Sequence, residues 1–180
     1  MSMVPIVQKG DPVLRGIAQD VPVSEIISPK IKDVIKRMQI AMHGEDDAVA
    51  IAAPQIGEPV RIFLVSGKVF VPNYPDIEPD THIPVDLVCI NPKILKLSKR
   101  KKKMAEGCLS VRWLYGNVQR SIQATIEYYN EKGEKFERGA AGLLAQIFQH
   151  EIDHLDGILF IDKAEDIEDQ PPQTHQSDEQ

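Results

Sequence analysis

Two histidines four residues apart, with a glutamate beside the first, stand in His150-Glu151-Ile152-Asp153-His154. On a helix this spacing puts both imidazoles on one face about one turn apart, where they can share a cation. This is the His-Glu-x-x-His arrangement, in which two histidines hold a metal ion and the glutamate handles the proton of a water at that ion. Two histidines leave such a site incomplete, so a third ligand has to come from elsewhere in the chain.

Several sources can be set aside. A zinc protease of the thermolysin type takes a downstream glutamate, but the first after His154 is Glu165, in a stretch without helical periodicity. The extended metzincin signature needs a glycine and a third histidine soon after the motif, and neither stands at the required spacing. Cys89, between Val88 and Ile90, reads as a small core hydrophobe, and His82 has no ligand-type neighbour. Cys108, in Glu106-Gly107-Cys108-Leu109-Ser110, fits a buried thiol equally well when taken alone, yet it is the candidate left upstream. A Cys-His-His set with water in the fourth position is an open, catalytic type of site, because structural sites are closed by four protein ligands.

The elements that must position these residues follow from pattern. Leu143, Ile147, His150 and His154 fall on one helical stripe, which predicts a helix from about residue 143 with the histidines continuing an inward apolar face. Two imidazoles and a carboxylate carried inward need a partner, and a metal is the natural one. Upstream, Ser28-Pro29 reads as an N-cap and first helical residue, with Ile31, Val34, Ile35, Met38 and Met42 at helical spacing and Gly44 as the C-cap. Residues 6 to 17 read as a short strand-like piece and a turn. Residues 60 to 65, 87 to 91 and 94 to 97 read as strands. Residues 118 to 128 alternate and turn at 130 to 133, which predicts a hairpin. Residues 158 to 161 read as a last extended piece. The segment from 67 to 86, with Pro72, Pro75, Pro79 and Pro84, reads as a long loop, and the basic run from 99 to 103 as a solvated hairpin tip.

Composition excludes other classes. The 180 residues are 42% hydrophobic and 27% charged, as in an ordinary globular domain. No apolar run approaches the roughly 20 residues needed to cross a bilayer, and the amino end lacks the apolar core of a signal peptide, so a cytoplasmic protein is expected. The net charge of −6 resides entirely from Asp162 onward, leaving the rest neutral. We therefore expect one catalytic domain over residues 1 to 163 and an acidic, disordered tail over 164 to 180. The basic run from 99 to 103 lacks the interleaved aromatic residues of a base-stacking surface.

Taken together, Glu106-Gly107-Cys108-Leu109-Ser110 and Gln149-His150-Glu151-Ile152-Asp153-His154-Leu155 resemble the second and third motifs of peptide deformylases. Ala52-Ala53-Pro54-Gln55 resembles the end of the first motif, and Gly10-Asp11-Pro12-Val13-Leu14-Arg15 is similar to the family's amino end. The likeness runs from about residue 6 to 162 with the motifs in order. It implies an α+β fold, antiparallel strands packed around a central helix carrying the His-Glu-x-x-His motif. It also implies a hydrolase that removes the N-formyl group from the initiator methionine of new polypeptides, releasing formate.

By the same resemblance Cys108, His150 and His154 hold one metal ion, Fe²⁺, replaceable by Ni²⁺, Co²⁺ or Zn²⁺. Glu151 is the base, the Gln55 amide and the Leu109 N–H face the oxyanion, and Glu106 pairs with Arg120 behind Cys108. Val49, Ala50, Leu143 and Ile147 are the candidates for substrate binding. The partners are N-formylmethionyl peptides and, transiently, the ribosome, with no DNA and no membrane. The acidic tail argues against ribosome docking through a basic C-terminal helix.

The chain departs from the family pattern at Ala48 and Ala50, where glycines are usual, and at Arg112-Trp113, where Pro-Gly is frequent. A methyl at either alanine narrows the groove for a peptide backbone. A related metal amidase with another N-acyl substrate, or a catalytically silent metal-binding relative, is the other reading.

Overall fold

The computed structural model describes residues 3–78 and 80–172. Helix α1, Pro29–His43, begins where the Ser28 hydroxyl accepts from the Ile31 N–H at 3.3 Å, with Pro29 preset for the first turn. Gly44 caps its carboxyl end in a right-handed conformation, so the freedom of glycine is not what ends the helix.

Among the described residues, eight strands form two antiparallel sheets. They are β1 Ala50–Ala52, β2 Ile62–Val65, β3 Leu87–Leu97, β4 Lys101–Gly107, β5 Leu114–Ser121, β6 Gln123–Tyr129, β7 Lys135–Ala141 and β8 Glu165–Asp169. The larger sheet has the order β1-β2-β3-β6-β7 and the smaller β4-β5-β8. Helix α2, Gly142–Leu155, packs against strands of both.

Period-2 alternation on β2 explains the layering. Ile62 and Leu64 face α1 in a core with Val34, Met38 and Ile90, whereas Phe63 and Val65 face α2 in a core with Phe148 and Ile152. The Phe63 and Phe148 rings lie 6.0 Å apart. Truncating a fully buried ring of this kind costs about 3–5 kcal/mol.

Several expectations are corrected. Residues 87 to 97 form one bulged strand: Asn91 takes a positive φ, and its side chain accepts from the Val21 N–H and donates to the Val21 carbonyl, each at 2.7 Å. The alternating stretch from 118 to 128 is not a single strand. The chain leaves the smaller sheet after Ser121 and enters the larger at Gln123, and Gln149 of α2 ties this corner by bonding both the N–H and the carbonyl of Ser121. Residues 101 to 103 of the basic run lie in β4. Described residues 6 to 17 hold a 3₁₀ turn, Pro12–Arg15, capped by Asp11, and no strand; Phe160–Asp162 is likewise a 3₁₀ turn. Within the loop from 67 to 86, Gly67–Phe70 is helical.

The tail was expected to lack structure from residue 164, but β8 pairs with β5 through Leu114 with Asp169, Tyr115 with Glu168 and Asn117 with Glu165. Backbone pairing at a sheet edge requires no apolar side chains. Residues 173 to 180 lie outside the described residues.

Candidate metal centre and active site

Helix α2 begins at Gly142, whose φ of +58° turns the chain out of β7. Its inward face then carries Ile147, Glu151 and His154 into buried positions, with His150 half-buried. The sulfur donor comes from the end of β4. There the chain turns tightly, with the Val111 N–H donating to the Cys108 carbonyl and the Ser110 N–H 3.4 Å from Cys108 Sγ.

Cys108 Sγ lies 3.2 Å from His154 Nε2, and the ligand atoms of Cys108, His150 and His154 all fall within 4.8 Å of one another. Among the described residues this is the one cluster of three or more such side chains with that spacing. Cys89 is fully buried in the sheet, and burial pushes its thiol well up, so it remains an inert core side chain.

Behind the donors stands a buried ion network. Glu106 takes both arms of the Arg120 guanidinium, at 2.7 and 2.9 Å, and accepts from His150 Nδ1 at 2.9 Å. That last bond sets the tautomer of the neutral His150 ring, with the proton on Nδ1, and leaves the lone pair of Nε2 for the cluster. Arg120 reaches on to Asp153 at 2.6 Å, and Asp153 to Lys163 at 2.7 Å. Burial by itself pushes the Glu106 carboxyl up, but the bonds from His150 and Arg120 outweigh it and hold it at about 2. Burial also pulls His150 down, and its bonds to Cys108 and Glu106 outweigh this, so the imidazole is raised well above its ordinary value.

Among the described residues, two buried side-chain atoms at the cluster have no partner, Glu151 Oε2 and His154 Nδ1. Burial lifts the Glu151 carboxyl to about 7 and drives His154 well below the usual histidine range. Two imidazole nitrogens and a sulfur around a common point, with an unpaired carboxylate beside them, form the donor set of a divalent transition-metal site. The residues fit the ion.

Gln55 is aimed by its own backbone. Its Oε1 accepts from the Ala52 N–H at 2.8 Å, which turns Nε2 toward Ser110 Oγ at 3.2 Å and Cys108 Sγ at 3.5 Å. The donor end of the amide thus faces the centre. Leu109 is buried, and its carbonyl accepts from Gln8 Nε2 at 3.0 Å, so the amino segment braces the turn after Cys108.

A cavity of about 340 Å³ opens over the cluster, lined by Val49, Ala50, Gln55, Leu109, Ile147 and Glu151 among others. Leu143 also lines it, but it is 41% exposed and stands at the mouth, which corrects its expected place on the inward stripe. Trp113 lines the same mouth.

Sequence reasoning missed the contacts of Gln149, Asp153, Gln146 and Gln8. Gln146 donates to the Ala105 carbonyl at 2.9 Å, joining α2 to β4. The partners of these residues lie far away in the chain, and no local pattern announces them.

A family model described as polypeptide deformylase matches residues 3–170. The chain is 36% identical over 167 residues to a peptide deformylase of Christiangramia forsetii, covering 92% of this chain and 83% of that one. It is 38% identical over 168 residues to one of Carboxydothermus hydrogenoformans, covering 93% and 97%. Among solved structures it is similar to the Met-Ala-Ser-bound class I type b peptide deformylase of Acinetobacter baumannii, with a TM-score of 0.78, 33% identity, and 91% and 100% of the two chains covered. A peptide deformylase of Thermotoga maritima gives a TM-score of 0.76 at 33% identity, covering 92% and 99%.

Proposed function

Because the chain belongs to the peptide deformylase family, which removes the N-formyl group from nascent peptides, we propose that Cys108, His150 and His154 hold its metal and that Glu151 is the base. The observation carrying this assignment is the three donors within 4.8 Å of one another beside the unpartnered Glu151 Oε2. When bound, the cation supplies Lewis-acid activation of water and positive charge for the carbonyl oxygen. Fe²⁺ is the ion this reading assigns, with Ni²⁺, Co²⁺ or Zn²⁺ as replacements.

The protein's own groups then divide the work. Glu151 Oε2, pushed up to about 7 by burial, takes the proton that water loses and returns it to the amine as the formyl C–N bond breaks, giving formate and a free amino terminus. Gln55 Nε2 and the Leu109 N–H donate to the formyl oxygen as negative charge grows there. Glu106 holds His150 in the required tautomer, and Arg120 holds Glu106. Val49, Ala50, Ile147 and, at the mouth, Leu143 take the methionine and the start of the peptide. The same reading gives a cytoplasmic enzyme with transient ribosome contact, and co-sedimentation with ribosomes tests that contact.

Formate release from formyl-Met-Ala-Ser, compared with release of acetate from acetyl-Met-Ala-Ser, tests the reaction, using protein loaded anaerobically with Fe²⁺ or Ni²⁺. Glu151→Ala is expected to keep its metal and lose about 10²–10⁴-fold in kcat. Retention of most of the turnover would remove Glu151 from the role of base.

A further inference from the structure

Resting on that reading, we propose that Arg112 is a positioning residue for the peptide beyond its methionine, a bridge that sets the spacing of the two walls of the groove. One wall is residues 47 to 50, leading into β1; the other is residues 105 to 115, from β4 to β5. The walls belong to different sheets, so strand pairing does not fix their separation.

Arg112 crosses between them. Nη1 lies 2.6 Å from Asp47 Oδ2, and Nη2 lies 3.1 Å from Asp47 Oδ1 and 2.8 Å from Glu45 Oε2. Its guanidinium also sits 4.8 Å from the centroid of the Trp113 ring, and its backbone N–H lies 3.5 Å from Gln8 Oε1. The fork therefore touches one wall with its edge and the other with its face.

Exposed ion pairs add little to stability, so the worth of this one lies in geometry. The planar guanidinium imposes a fixed distance and orientation on Asp47 that a lysine does not. A peptide entering between walls already held apart avoids the ordering entropy of two independent loops. A substrate that engages only the base of the cavity, near Cys108, Gln55 and Ile147, gains little from the bridge. One that extends past methionine gains more.

The test compares kcat/KM for formyl-Met-Ala-Ser and for formyl-Met amide, with metal content measured in every sample. In wild type, formate release from both defines a long-to-short ratio. In Arg112→Ala that ratio is expected to fall at least about fivefold, mainly through KM of the longer peptide. Glu45→Gln with Asp47→Asn, which breaks the bridge from the other wall, is expected to give the same fall, and Arg112→Lys a smaller one. Raising salt should lower the ratio in wild type more than in Arg112→Ala. An unchanged or increased ratio in both bridge-breaking proteins, each fully metallated, overturns the proposal while leaving the deformylase reading intact. Failure of metallated wild type to release formate from either substrate overturns both.

Discussion

Arg120 and Arg112 each hold two carboxylates with bonds of similar length, in opposite surroundings. Arg120, 4% exposed, binds Glu106 and Asp153, which are 3% and 14% exposed. Arg112, 18% exposed, binds Glu45 and Asp47, which are 43% and 55% exposed. The same fork does different work in each place. Behind the Cys108, His150 and His154 cluster, losing one member strands a charge in a largely buried region, so the network is demanded by the fold. At the groove mouth, water takes over as soon as the bond opens, so that bridge acts on alignment and little on stability.

The comparison breaks most visibly at Arg120. Arg120→Ala is expected to destabilise the protein by about 3–5 kcal/mol, read from denaturant unfolding, because Glu106 and Asp153 lose their buried partner. A loss below about 1 kcal/mol would put the two arginines in one class.

Glu106→Gln sharpens the comparison at constant shape. Metal affinity is expected to fall about 10–100-fold, since His150 loses the carboxylate that orients it, and competition with a chelator measures this. The same substitution has a pH signature. Glu106 is held at about 2, below its ordinary 4.5, so its contribution to stability is present above 4.5 and is lost as pH falls toward about 2. Wild type should therefore lose more stability than Glu106→Gln across that acid window. Parallel acid limbs in the two proteins would contradict the assignment.

The smallest effect belongs to the mouth. Asp47→Asn is expected to shift unfolding by less than about 1 kcal/mol. A larger shift would mean that the bridge is structural after all.

The chemistry was more legible in the sequence than its supports. His150 and His154 could be paired from spacing alone, because helix geometry converts a separation of four into a shared face. The capped helix α1 was readable for a related reason, since Ser28, Pro29 and the apolar stripe are all local signals. Glu106 and Arg120 could be joined only through family resemblance. Asp153 and Gln149 were invisible, because their partners sit on β5 and nothing in the helix pattern specifies them. The crossing at Ile122 was hidden because alternation looks the same in either sheet. Leu143 was misplaced because, in the first turn of α2, it lines the open cavity, where helical phase no longer implies burial.

Strand β8 bears on the protein's behaviour at high concentration. Without it, β5 would present a row of unsatisfied backbone groups, the kind of margin along which chains stack on one another. β8 covers that margin and offers in its place an outer border bearing Glu165, Asp166, Glu168 and Asp169. A second copy approaching there meets a line of like charge. The acidic segment thus exchanges an open margin of β5 for a charged border, the arrangement that disfavours pairing between sheet edges.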